Sequence, residues 1–332
     1  MADGGPPALV TGASGFIGRH LVSTLLRQNR RVLALCRRPG SLFELSDPGI
    51  RIIRADLEDK GSYLPHLTRD LTVFHLAAIR NRPGSTPDEF RRVNEIASLQ
   101  LALACAHAGV KKFIYVSSAV VFGPSQGRAV SEANGVKDPG IENCYIQTRV
   151  RAQQAMNKLV EGGLPLVTLC PTIVFGPDHP TNPNRITSQI RRLFRTRIEV
   201  TLGDGNQSRN LVFVEDVIRG ILQAEKSESA RGEFILGGED ITHRAFNEMV
   251  FSLAGRKRWA RISIPAGIAR KSSRFLDWML RYDRGAGYES AVDMLLNEWQ
   301  YTFQKAREIL GYNPLPLHIA ILETIRFIEG EV

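Results

Sequence analysis

No two cysteines of the 332-residue sequence form a C-x-x-C pair; Cys36, Cys105, Cys144 and Cys170 lie far apart. That spacing indicates neither a zinc site nor a disulfide framework, and it reads as reduced thiols with no bound metal. An uninterrupted apolar run of about 18 residues, the least a spanning helix needs, is also missing. The opening MADGGPPALVTG is too short and too rich in Gly and Pro for the apolar core of a secretory signal. The sequence has no internal repeat, no low-complexity tract and no recognised nucleic-acid-binding module. These absences exclude a disulfide scaffold and a transmembrane helix. They lead to the expectation of a soluble, cytoplasmic chain that acts on a small molecule and not on nucleic acid.

What is present is globular in kind: 43% hydrophobic and 23% charged residues argue against disorder and fibrous architecture. Lys and Arg outnumber Asp and Glu by 43 to 34, and the resulting +9 favours anionic partners without bearing on fold. At about 150 residues per domain the length allows one large or two moderate domains.

The first half alternates short apolar runs with longer amphipathic stretches. Residues 8–11, 31–36, 50–55, 71–76 and 112–117 read as strands buried on both faces, and 16–28, 87–108 and 145–161 have helical periodicity. Strands and helices alternating at this spacing predict βαβ units and a doubly wound parallel α/β sheet of the Rossmann type. A further strand is expected at 164–169 after the Gly162-Gly163 helix stop. Pro171, Pro177, Pro180 and Pro183 then mark a long irregular segment, before strand 210–214 and helix 215–225 restore the pattern. The expected division is a dinucleotide-binding domain over 1–170 plus about 209–236. A smaller, discontinuous C-terminal substrate lobe takes about 171–208 and 237–332, with the ligand cleft between them.

The strongest local signal is Val10-Thr-Gly-Ala-Ser-Gly-Phe-Ile-Gly18, which sets Gly12, Gly15 and Gly18 between the first strand and the first helix. Glycines there permit a tight turn, close backbone approach to a pyrophosphate and close helix–strand packing, and the helix N-terminus adds its positive dipole end. A dinucleotide is the ligand this predicts. The second strand ends in Cys36-Arg37-Arg38, with no acid to accept the ribose 2′-OH. Two guanidinium groups suit a 2′-phosphate, which favours NADP(H) and leaves NAD(H) possible if Arg37 and Arg38 form only a solvated turn.

Tyr115-Val-Ser-Ser-Ala-Val-Val-Phe-Gly123 closes a strand with two hydroxyls, and Tyr145-Ile-Gln-Thr-Arg149 opens a helix. Four residues apart, Tyr145 and Arg149 share a helix face, and a fixed cation beside a phenol favours the phenolate in proton transfer. Ser118 at the strand end is placed to hold a substrate oxygen beside that phenol.

These pieces together resemble the extended short-chain dehydrogenase/reductase family, which includes the NAD-dependent epimerases and dehydratases. The resemblance runs through TGASGFIG at 11–18, Asp56-Leu57, His75-Leu-Ala-Ala78, Val93-Asn94, YVSSAVVFG at 115–123 and CPTIVFGP at 170–177. GDGNQSRNLVFVEDV at 203–217 and KAREILGYNP at 305–314 complete it. It implies hydride transfer at a secondary alcohol or ketone carbon, with Tyr145 as acid/base and Ser118 polarising the substrate oxygen, and it implies a homodimer. It places Asp56 against the adenine with Leu57 beside it, and the backbone of Ala77 and Ala78 along the cofactor. Ser14, Phe16, Ile17, Asn94 and Pro171 are then cofactor-site residues with Tyr145 and Arg149.

One departure matters. The family motif is Tyr-x-x-x-Lys, and Arg149 stands at the lysine position. Its planar head supports a phenolate but has different donor directions for the nicotinamide ribose. A non-catalytic dinucleotide binder is therefore a further reading beside the active enzyme. Phe122 replaces a common tyrosine, and Cys170 a common arginine.

Arg209, in a GDG-x-x-x-R setting, would contact a substrate diphosphate by resemblance to sugar-nucleotide members, or is a surface arginine. Arg185, Arg191, Arg192, Arg195 and Arg197 would line the same mouth or form a solvated helix face. The stretch 256–284 holds nine Lys and Arg against two Asp, interleaved with Trp259, Phe275, Leu276, Trp278, Met279 and Leu280. That pattern suits an amphipathic helix packed on the lobe, a membrane-surface helix or a greasy, acid-bearing substrate. The absence of the family's C-terminal Arg-Pro-Gly-Asp element pulls toward an apolar alcohol or ketone. Arg209 pulls toward a nucleotide-sugar epimerase or dehydratase.

Overall fold

A computed structural model describes residues 5–330 except 39–41, 43, 44, 46, 81–83, 181 and 284. Its centre is a parallel sheet of β1 (Ala8–Thr11), β2 (Val32–Cys36), β3 (Ile50–Arg54), β4 (Thr72–His75), β5 (Lys112–Val116), β6 (Leu166–Pro171) and β10 (Gly232–Leu236). The strand order β10-β6-β5-β4-β1-β2-β3 reverses between β1 and β4, which opens a crevice beyond the carboxyl ends of these strands. The runs are apolar because helices cover both faces: β1, β4 and β6 are buried throughout. One core cluster lies against helix Phe16–Arg27 and helix Val214–Lys226, and the other against Ser98–Ala108 and Cys144–Glu161.

The expected helix over 87–108 is built in three pieces. Thr86 and Glu89 form a capping box at Pro87–Phe90; a π-helical segment Arg91–Ala97 follows and continues as Ser98–Ala108. Such wide turns insert one residue and re-aim their neighbours.

Beyond β6 the structure is more regular than the prolines predicted. β7 (Ile173–Phe175) pairs with β9 (Ser208–Phe213), which pairs with β11 (Glu239–Thr242); β8 (Ile198–Leu202) pairs with β12 (Ala260–Ile264). Helix Arg185–Thr196 begins where the Asn184 side chain accepts the N–H groups of Ile186 and Thr187. Its buried Ile186, Ile190, Leu193 and Phe194 keep helical spacing, but the intervening arginines mask it in the sequence. Helices His243–Leu253 and Leu317–Glu329 bury their apolar faces in the same cluster. Within the expected segment 209–236, β9 belongs to the three-stranded sheet, whereas the following helix and β10 belong with the large sheet.

Helix Ala266–Leu280 does not pack on the lobe through its whole apolar surface. Ala269 and Ser273 are its buried positions, while Phe275, Trp278 and Met279 are exposed. Among the described residues no helix is long and apolar enough to cross a membrane.

Candidate active site

The end of β1 makes the tight turn the glycines predicted. Gly12 sits at φ +66°, where a Cβ would lie 2.8 Å from the Ala77 Cα. A Cβ at Gly15 would stand 2.9 Å from the Gly12 carbonyl oxygen, and one at Gly18 would press on that oxygen harder still. The next helix starts at Gly15 with no side-chain cap and no acid in its first turn, so its leading N–H groups remain available. Gly12, Gly15, Phe16, Ile17 and Gly18 all open onto a cleft of about 840 Å³. This uncapped, side-chain-free cradle fits a dinucleotide pyrophosphate. Ser14 is off the cleft wall, its carbonyl accepting from Asn182 Nδ2 at 3.5 Å.

Arg37 and Arg38 lie exposed after β2 and have no ion-pair partner among the described residues. Beyond the end of β3, Asp56 Oδ1 accepts the Glu58 N–H at 3.0 Å, and Leu57 is buried. These four residues are outside the cleft lining, on the β2–β3 side of the sheet. Ala78 lines the cleft; Ala77 backs the turn, its N–H donating to Thr11 Oγ1 at 3.3 Å. Asn94 is buried behind the wall. Its side chain accepts the Ile79 N–H at 2.7 Å and donates to the Ile79 carbonyl at 3.0 Å, so the π segment clamps the continuation of β4.

A buried polar row underlies the cleft floor, because Thr11, His75 and Tyr115 are register partners on adjacent strands. His75 Nδ1 lies 2.7 Å from Thr11 Oγ1, and its ring stacks on Tyr115 at 5.5 Å. Burial, then the nearby Arg149 charge, brings His75 down to about 3, so this imidazole is neutral. Arg149 reaches under the row. It donates to Tyr115 Oη at 3.0 Å, to the Val116 carbonyl at 2.8 Å and to the Ser117 carbonyl at 3.3 Å. Its guanidinium carbon is 5.3 Å from the Tyr115 ring centroid and 5.8 Å from that of Tyr145. Burial works against this cation, but the Tyr115 and Tyr145 oxygens outweigh it and hold its pKa above the ordinary arginine value. Ser118, Tyr145 and Arg149 open on the same cleft as the glycine turn, as does Pro171 at the end of β6.

The far wall carries a second cationic group. Arg209 on β9 is buried, with its guanidinium 4.9 Å from the Phe246 ring centroid and one bond to Gln189 Oε1 at 3.3 Å. Its Nε is buried with no partner. Burial, then the charge of Arg185, brings its pKa down to about 9. His243 beside them is lowered to about 3 by burial, then by Arg209 and Arg185. A cationic wall with no carboxylate among the described residues of the cleft lining fits an anionic ligand group. Phe16, Ile173, Val174, Leu202, Met294 and Leu295 make most of the remaining surface apolar. No metal-binding group of His, Cys, Asp or Glu occurs among the described residues.

The sequence reading missed Tyr115 and His243, whereas Arg185 does line the same cleft as Arg209, one of the two placements it was given. Tyr115 reads as core in an apolar strand, and its hydroxyl becomes informative only once Arg149 is known to meet it. His243 comes beside the two arginines by tertiary packing, and the arginine-rich spacing at 185–197 signalled only Arg185.

The model of the NAD dependent epimerase/dehydratase family matches residues 8–237. A 3 beta-hydroxysteroid dehydrogenase/Delta 5-->4-isomerase of Mycobacterium tuberculosis is 26% identical over 92% of this chain and 86% of its own. A 4-hydroxy-2-methyl-3-oxo-4-farnesyl-3,4-dihydroquinoline-1-oxide ketoreductase of Stigmatella aurantiaca is 25% identical over 96% of this chain and 95% of its own. The solved structure of MoeE5 with UDP-glucose and NAD is 27% identical and superposes with a TM-score of 0.74, covering 98% of this chain and 99% of that one.

Proposed function

The chain belongs to the NAD-dependent epimerase/dehydratase family and is an enzyme of the oxidoreductase or epimerase kind; from that premise we propose that it is an NAD(P)-dependent oxidoreductase acting at a secondary alcohol or ketone carbon. The observation that carries this reading is the opening of Ser118, Tyr145 and the glycine turn on one cleft, with the Arg149 guanidinium beneath the phenol. Tyr145 moves the proton to or from the substrate oxygen, and the Ser118 hydroxyl donates a hydrogen bond to that oxygen. Arg149 acts electrostatically through the phenol, since both its terminal nitrogens are engaged by Tyr115 and two carbonyls. The glycine turn and uncapped helix hold the pyrophosphate, and Arg37 and Arg38 hold the 2′-phosphate of NADP(H). When bound, the nicotinamide supplies or accepts the hydride.

The chain divides for this purpose into the dinucleotide domain and a smaller substrate lobe. An apolar cleft with Arg185 and Arg209 on its far wall supports a substrate with a lipophilic body and a remote acid. The steroid and farnesyl-quinoline enzymes among its relatives carry names of lipophilic substrates, which supports the same class. One observation favours a second reading: the same arginine pair suits a diphosphate, and MoeE5 was solved with UDP-glucose and NAD. In that case the chain is a nucleotide-sugar epimerase or dehydratase.

Parallel fluorescence titrations with NADPH and NADH, followed by a ketone and alcohol screen, test the proposal. Tighter NADPH binding and net cofactor consumption are expected. Tightly retained NAD with turnover of a nucleotide sugar and no net consumption gives the second reading. Failure to bind either nucleotide overturns both.

A further inference from the structure

Of the nine Lys and Arg in stretch 256–284, four are held in ion pairs. Arg258 and Arg261 hold the buried Glu199 of β8, each at 2.9 Å. Arg270 and Arg274 pair with Asp293 and Glu289 on the adjoining helix Tyr288–Leu296. The remaining acid of this helix pair, Asp277, turns to the backbone N–H groups of Tyr288 and Glu289. Every carboxylate of the two helices is thus engaged, whereas Lys271 and Arg281 have no ion-pair partner among the described residues.

The outward side of helix Ala266–Leu280 is apolar. Ile268, Phe275 and Met279, spaced by seven and four residues, are 57%, 59% and 53% exposed, and Trp278 beside them is 75% exposed. Lys271 lies in the same stripe by helical spacing. A helix with its small residues buried and its large apolar ones outside presents a surface that some partner covers.

We propose that this face docks on an anionic lipid surface. Phe275, Trp278 and Met279 would enter the headgroup–acyl boundary, and Lys271 and Arg281 would reach the anionic headgroups. Charge complementarity carries the choice of partner: the uncompensated charges of the helix and its C-cap are the cations Lys271 and Arg281, with the exposed Asp283 two residues further on, and long cationic stems lie along apolar surface while their heads reach polar groups. A second copy fits less well, because every carboxylate of its two helices is already engaged and offers Lys271 no counter-charge. The helix packs on Tyr288–Leu296, whose Met294 and Leu295 line the cleft. Docking would therefore bring a cleft wall within one helix of the lipid.

Flotation of the full chain with vesicles of phosphatidylcholine alone, and of phosphatidylcholine mixed with phosphatidylserine, tests this. Flotation with the mixed vesicles only, reversed by high salt, is expected. The double substitution Phe275→Ser/Trp278→Ser should weaken partitioning by about tenfold or more, and Lys271→Glu by about tenfold. Both variants lie outside the cleft lining and should keep the parent's circular dichroism and nucleotide titration. No flotation, equal flotation with both vesicles, or unchanged partitioning of the double variant overturns the proposal. So does a dimer in sedimentation that the double substitution dissolves without any lipid binding, which gives the face to a second copy. A parent that floats but binds neither nucleotide sinks the functional reading and leaves the lipid assignment standing.

Discussion

Arg149 and Arg209 are both buried, both lie over an aromatic ring, and neither has a carboxylate partner among the described residues. On the cleft floor, both terminal nitrogens of Arg149 donate to a phenol and two carbonyls while its Nε is buried without a partner, and its pKa is held high. On the far wall, Arg209 has one amide oxygen, an unpartnered Nε and a second arginine nearby, and its pKa is brought down to about 9. The floor satisfies both terminal nitrogens of its arginine and aims its charge at two tyrosines. The wall is electrostatically incomplete, as a site for an anion must be before the anion arrives. A buried arginine is informative through what its N–H groups touch, not through its burial alone.

The sharpest break between the two regions is catalytic. Tyr145→Phe should lower turnover roughly 10²–10⁴-fold while shifting NAD(P)H affinity little. Arg209→Met should instead raise KM for the substrate and largely spare turnover at saturation. Steady-state kinetics beside a fluorescence titration read both, and a Tyr145→Phe enzyme of full turnover would end the assignment.

Stability should separate the arginines by sign. Arg149→Met leaves a buried phenol and two carbonyls without their donor and should cost about 2–4 kcal/mol. Arg209→Met removes a desolvated charge with little to compensate it and should be neutral or stabilising by about 1 kcal/mol. Urea midpoints for the two variants suffice; losses of equal size would erase the distinction.

The floor also predicts a pH slope. His75 stays neutral in the fold down to about 3, whereas an unfolded imidazole protonates below about 6.5. Its contribution is thus fully present above that value. It is lost as pH falls toward the folded pKa, at up to about 1.4 kcal/mol per pH unit. His75→Asn should flatten the slope between about pH 6.5 and 4, and an unchanged slope would move the titration elsewhere.

The smallest effect concerns the cofactor's far end. Arg37→Ser/Arg38→Ser should reduce NADPH affinity about tenfold and leave NADH binding nearly unchanged. Equal losses for both nucleotides would show that the pair supports the turn and not the phosphate.

Legibility in the sequence followed the range of the interactions. Gly12, Gly15 and Gly18 announce their turn because its constraint is local, and the strands up to β6 were readable as apolar runs within two residues of their observed ends. Helix Arg185–Thr196 was obscured because arginines interrupt its apolar spacing. The Tyr145–Arg149 spacing correctly put both on one helix face, yet the posture of Arg149 depends on Tyr115, which arrives from another strand. His243 meets Arg209 only when the lobe folds, and no window of sequence contains both.

The wide-turned segment Arg91–Ala97 bears on how this site tolerates insertion and deletion. A π turn is an α-helix holding one residue more than its bonds need. Deleting that residue would heal the helix, yet it would rotate one flank against the other by about 100°. Asn94 would swing off Ile79, and the chain beyond β4 would lose its clamp although every other side chain near the cleft was intact. Chain length at this point, counted to a single residue, is therefore as much a part of the site as the identity of any amino acid in it.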